Sequence, residues 1–111
     1  MKLRVETDGT RSIVYVIEER LDAHNSDNLK SEMNRLFETG VKDIIIDLKD
    51  VRFIDSSGLG VLVSGYKNSS SRKGSLKLAG LQAQVKSMFE LTRLYRVFDI
   101  FQTVDGALES Y

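Results

Sequence analysis

The sequence predicts an α/β fold in which helices pack against a mixed, mainly parallel sheet. Three observations predict it. The turn signal Asp8-Gly9 separates two short strand-like segments near the start. From Leu29 onward, apolar stripes at helical spacing alternate with short apolar runs of strand length. One such run, Ile44-Ile45-Ile46, is apolar at consecutive positions, as a strand covered on both faces requires.

Taken in order, Lys2 to Thr7 places Leu3 and Val5 between polar neighbours, a half-buried strand. Ile13 to Ile17 is β-branched and aromatic, the partner strand of an antiparallel pair. Asn25 and Ser26 offer helix N-caps, with Asp27 in the first turn. Leu29, Met33, Leu36 and Phe37 then form one helical stripe, which Gly40 ends. Asp43 to Leu48 is the central strand. A second helix starts near Ser56 and runs through Val61, Leu62 and Tyr66, fraying over Asn68–Ser71 before Gly74. Ser75 to Ala79 is a short strand. Val85, Met88, Phe89 and Thr92 mark a third helix, Val97 to Thr103 a last strand, and Val104 to Ser110 a closing helix. The order is β-β-α-β-α-β-α-β-α. No repeat or linker interrupts it, so a single domain over residues 1–111 is expected.

Composition narrows the function. Sixteen Lys and Arg offset sixteen Asp and Glu, so no net field favours a nucleic acid or an anionic membrane as partner. The absence of cysteine removes disulfides, thiolate metal sites and a cysteine nucleophile. Met1 to Glu6 carries no signal-peptide core and no later run has membrane-spanning length, so a cytoplasmic location is expected.

The stretch Phe53-Ile54-Asp55-Ser56-Ser57-Gly58-Leu59-Gly60-Val61 concentrates the chemistry. Two hydroxyls stand where a strand hands over to a helix, whose first N–H groups and dipole favour an anion. Glycines at 58 and 60 cost about 1 kcal/mol each in helix stability relative to alanine. They leave the backbone bare, so another molecule can approach. The plainer reading makes Ser56 an N-cap and the glycines packing devices; residues alone leave both standing. On the helix that follows, Leu62 and Tyr66 share a face, and Leu59 and Val63 are the expected exposed docking positions.

Enzyme signatures fail on these residues. A dinucleotide fingerprint needs glycine at Val63, a P-loop needs lysine at Tyr66, and a nucleophile elbow needs glycine at Ile54. His24, the only histidine, is expected to lie exposed on a loop without an orienting partner, and scattered carboxylates make no metal site. Asp47 ends a strand as a receiver-domain phospho-acceptor does. No acidic pair closes the first strand and no lysine the last, so a strand-end role is expected. No catalytic residue, metal or cofactor is expected.

Asp55-Ser56-Ser57-Gly58-Leu59-Gly60 resembles the Asp-Ser-Ser/Thr/Ala-Gly-Leu-Gly signature of STAS domains in the anti-sigma factor antagonist family. Arg20-Leu21-Asp22-Ala23 is similar to that family's Gly-x-Leu-Asp stretch. Asp43 to Leu48 matches its central strand, and Val85 to Leu94 its Val-x-x-x-Phe-x-Leu-Thr-x-Leu helix. Glu19 departs from the family's usual glycine, in a loop expected to flank Ser56.

The resemblance implies the STAS fold and a non-enzymatic regulator. Its partner would be an anti-sigma factor with serine kinase activity. Phosphorylation would fall on Ser56 and end that binding, and a PP2C-type phosphatase would reverse it. The implied partner-binding surface comprises Asp22, Asp55, Ser56, Ser57, Gly58, Leu59 and Gly60. The alternative is an accessory or assembly subunit of a transport complex.

Overall fold

A computed structural model describes residues 1–111. Strands β1 (Leu3–Asp8) and β2 (Arg11–Val16) form the expected antiparallel hairpin. Gly9 stands at φ +63° in the two-residue loop, a backbone shape that glycine adopts without strain and that matches strand twist. Then follow β3 (Arg20–Leu21), α1 (Ser26–Glu38), β4 (Asp43–Asp47), β5 (Phe53–Ile54), α2 (Ser56–Ser71) and β6 (Ser75–Ala79). The chain closes with α3 (Ala83–Leu91), a 3₁₀ turn (Leu94–Arg96), β7 (Asp99–Phe101) and α4 (Val104–Glu109).

The main sheet has the order β1-β2-β4-β6-β7, and every pairing after the hairpin is parallel. The isoleucine run explains its layering. Ile44 and Ile46 point into the main core with α1, α2 and α3, while Ile45 points to the other face against Ala79 and Ala107 of α4. Both faces of β4 are therefore covered, as consecutive apolar residues demand. Leu29, Met33, Leu36 and Phe37 are all buried, the stripe expected of α1. No helix is long and apolar enough to cross a membrane.

Three features depart from the sequence reading. Asn68–Ser71 remains helical rather than frayed, because α2 runs through Ser71 with Ser69 fully buried. The last strand is only Asp99–Phe101, since Val97 and Phe98 N–H groups donate back to the Leu94 carbonyl at 2.9 and 3.2 Å and Thr103 caps α4. A second, two-stranded parallel sheet joins β3 to β5. It is extended by Arg52 and Phe53 N–H groups donating to the Glu19 carbonyl at 2.7 and 3.1 Å. This small sheet brings the segment before α1 against the segment before α2, and so assembles the site.

Candidate functional site

The mouth of α2 lies just past the carboxyl end of β4. Leu48 and Val51 are fully buried and anchor the loop that leads to β5. Gln84 of α3 then holds β5 from the side: its Oε1 accepts from Ile54 N–H at 3.0 Å and its Nε2 donates to the Ile54 carbonyl at 3.4 Å. The backbone entering Asp55 is thus held at both its polar groups, which fixes where the helix begins.

Asp55, not Ser56, is the helix cap. Its Oδ1 accepts from Gly58 N–H at 3.0 Å, and its carbonyl accepts from Leu59 N–H at 3.0 Å. Its Oδ2 accepts from Ala23 N–H at 3.2 Å, which pins the loop before α1 to the start of α2. With the cap supplied, Ser56 stands exposed as the first residue of α2, its hydroxyl uncommitted to capping. The plainer reading of Ser56 as the N-cap is corrected on this point. Gly58 and Leu59 N–H groups are engaged by Asp55, which leaves the Ser56 and Ser57 amides for solvent or an incoming anion.

The loop beside this mouth is tied by its own side chains. Asp22 Oδ1 accepts from His24 N–H at 3.0 Å, and Asp22 Oδ2 lies 3.5 Å from Arg20 Nε. Asn25 occupies the cap position of α1, but its side chain turns back into the loop. Its Oδ1 accepts from Asp22 N–H at 2.9 Å and its Nδ2 donates to the Arg20 carbonyl at 2.7 Å. His24 is exposed, and no hydrogen bond joins its imidazole to Ser56. Between the starts of α1 and α2 runs a shallow groove of about 300 Å³, lined by Ser26, Lys30, Ser57, Gly60 and Ser64 among others.

The two glycines of the motif do different things. Gly58 is buried, and a Cβ there would sit 2.5 Å from the Leu21 carbonyl oxygen and 2.7 Å from Ile54 Cγ1. Its bareness lets α2 press onto the β3–β5 sheet. Gly60 is exposed with nothing within 4 Å of a Cβ, so its bareness faces outward. Leu59 is 6% exposed and belongs to the main core. The expectations that Leu59 is an exposed docking position and that Gly58 leaves its backbone open are corrected, because the core buries both. Val63 and Tyr66 are half-buried, and Tyr66 packs edge-to-face on Phe98 at 5.4 Å. Asp47 is buried at its strand end, where its Oδ1 accepts from Lys49 N–H at 3.1 Å.

Asp22, Asp55, Ser56, Ser57 and Gly60 therefore converge at one end of the sheet, with Gly58 and Leu59 directly beneath. Sequence reasoning missed Gln84, Lys30 and the backward turn of Asn25. A glutamine one residue into a helix, or a lysine on its polar face, carries no periodic signal. An Asn before a helix reads first as its cap.

Comparison with known proteins gives a consistent result. Residues 3–107 match the STAS domain. The chain is 32% identical to the anti-sigma-B factor antagonist of Bacillus subtilis (strain 168), over 98% of this chain and 100% of that protein. It superposes on the crystal structure of a putative anti-sigma factor antagonist from Thermotoga maritima with a TM-score of 0.86 and 27% identity, covering 97% and 92% of the two chains. A likeness of fold alone extends to the Bacillus cell fate determinant SpoIIAA in its phosphorylated form. There the TM-score is 0.77 and the identity 18%, over 98% of each chain.

Proposed function

The chain belongs to the STAS-domain family of anti-sigma factor antagonists, and on that premise we propose that it is a phosphorylation-controlled binding module, one STAS domain over residues 1–111, acting in the cytoplasm. Antagonists of this family are regulators and not enzymes. The unphosphorylated form binds an anti-sigma factor that is also a serine kinase, and so frees the sigma factor. Phosphorylation of Ser56 ends the binding, and a PP2C-type phosphatase restores it. Asp22, Ser56, Ser57 and Gly60 supply the contact surface, while Asp55 holds helix and loop in register behind them.

One observation carries this reading: Ser56 is exposed at the first position of α2 while Asp55 does the capping. A phosphoryl group there adds about −1.5 to −2 charges at pH 7. The uncapped amides and the helix dipole can accept it without unfolding the helix. The effect falls on the partner. At an effective dielectric near 20, two like charges ~6 Å apart repel by about 3 kcal/mol. That corresponds to roughly a hundredfold loss of affinity.

The test is incubation with the kinase-type anti-sigma factor, ATP and magnesium, followed by peptide mass spectrometry and a binding titration. One phosphate on Ser56, lost in Ser56→Ala, with Ser56→Ala still binding and Ser56→Asp weakened, is the expected result. Phosphate on another residue, or binding indifferent to it, refutes the assignment. Recovery of a transporter ATPase in place of a kinase-like protein would favour the transport-accessory reading instead.

A further inference from the structure

A second cavity takes no part in the Ser56 site. It is a cleft of about 890 Å³ at the carboxyl ends of β4, β6 and β7, roofed by α3 and the 3₁₀ turn. The volume lies in the range of small-molecule sites, roughly 300–1,000 Å³. Six of its twelve lining residues are apolar, and Lys49, Lys86, Glu90, Asp99 and Gln102 supply polar groups.

Phe89, Tyr95, Phe98 and Phe101 supply aromatic lining. Phe89 and Phe98 are 1% and 4% exposed, and their rings meet edge-to-face at 5.6 Å and 82°. Phe98 is braced in turn by Tyr66. This part of the cleft is set by the core and pre-formed. Tyr95 and Ile100, by contrast, are 48% and 36% exposed, apolar surface that an occupant would cover. Gly80, at φ +75°, lets Lys49 pack closely against the end of β6, since a Cβ there would stand 3.0 Å from Lys49 Cβ.

The polar groups indicate which ligand chemistry would match. Lys49 and Lys86 both line the cleft, and neither is in an ion pair. Glu90 and Asp99 lie on the same lining, yet no carboxylate comes within salt-bridge distance of either lysine. Two ammonium groups free of direct ion pairs beside an aromatic surface suit a flat ring that carries an acidic group. We infer that this cleft is a binding site for a planar aromatic anion, with the ring covering Tyr95 and Ile100 above the buried Phe89 and Phe98 and the acid toward Lys49 and Lys86.

The probe is 1-anilinonaphthalene-8-sulfonate, titrated by fluorescence against the folded protein, with N-phenyl-1-naphthylamine as its uncharged counterpart. Expected are saturable 1:1 binding and amide shifts at Leu81, Gln102 and the Tyr95 turn. The double variant Lys49→Ala/Lys86→Ala should bind at least tenfold more weakly, as should the neutral compound. Both lysines are exposed, so the variant keeps the fold, which its far-ultraviolet circular dichroism checks. Absence of saturable binding overturns the inference. So do shifts confined to another face, or equal affinity for the neutral compound, which marks only a greasy groove. Because the cleft excludes Ser56, these outcomes do not depend on the phosphorylation reading.

Discussion

Gly58 and Gly60 lie two residues apart in the first turns of α2, and replacing each with alanine should move stability in opposite directions. Helix propensity alone favours alanine at both, by about 1 kcal/mol. At Gly60 nothing opposes that gain, because a Cβ there meets no atom within 4 Å. Gly60→Ala should therefore stabilise by roughly 0.5–1 kcal/mol, raising Tm by about 4 °C for a domain near 100 residues. At Gly58 the Cβ would stand 2.5 Å from the Leu21 carbonyl oxygen, 2.7 Å from Ile54 Cγ1 and 3.0 Å from Leu21 Cγ. A backbone carbonyl cannot rotate out of the way, so α2 must lift from the β3–β5 sheet. Overpacking of this kind costs about 1–3 kcal/mol, and a backbone clash belongs at the upper end. After the propensity gain, Gly58→Ala should destabilise by roughly 2 kcal/mol. The assay is urea unfolding of wild type and both variants, followed by circular dichroism, with m-values compared. Shifts of the same sign for both variants would refute the argument. A binding titration adds a second reading: Gly60→Ala, though more stable, should bind the anti-sigma factor less well, because its methyl enters the contact surface.

Asp55→Ala removes the α2 cap and the bond to Ala23 N–H, and should cost about 2 kcal/mol in chemical denaturation. Asp55→Asn, which caps well, should lose under about 1 kcal/mol. Gln84→Ala frees both backbone groups of Ile54 and should destabilise by about 1–3 kcal/mol. Amide exchange should rise at residues 53–58 before it rises in the main sheet. The Tyr111 phenol has its pKa raised above the usual 10.0, first by burial and then by Asp43, against a lowering bond to Ser75. Tyr15 is raised too, by burial and then by Glu6. Raised values mean that the folded chain holds these protons longer than the unfolded one. Their stabilising contribution is whole below pH 10 and is lost as pH rises through the folded values. Urea midpoints measured from pH 8 to 11 should fall above 10, and less steeply in the Tyr15→Phe/Tyr111→Phe variant.

The element order, the covered central strand and the α1 stripe were legible in the sequence. Each is a burial pattern repeated by local geometry: period 3.6 along Leu29–Phe37, and both faces apolar at Ile44–Ile46. The Asp55–Gly60 segment was equally legible as the chemically marked turn, because hydroxyls and glycines at a strand-to-helix junction are locally unusual. Two-residue strands show no period, so the pairing of β3 with β5 left no trace in the chain. A glycine has no side chain to report burial, so only packing could separate Gly58 from Gly60. That packing comes from Leu21, brought 37 positions across the sequence by the small sheet. The same long-range contact presents the Ala23 amide to Asp55, which takes over the cap and leaves the Ser56 hydroxyl outside. Local sequence set which residues could meet at the α2 mouth, and tertiary packing set which of them face outward, because exposure there depends on atoms distant in the chain.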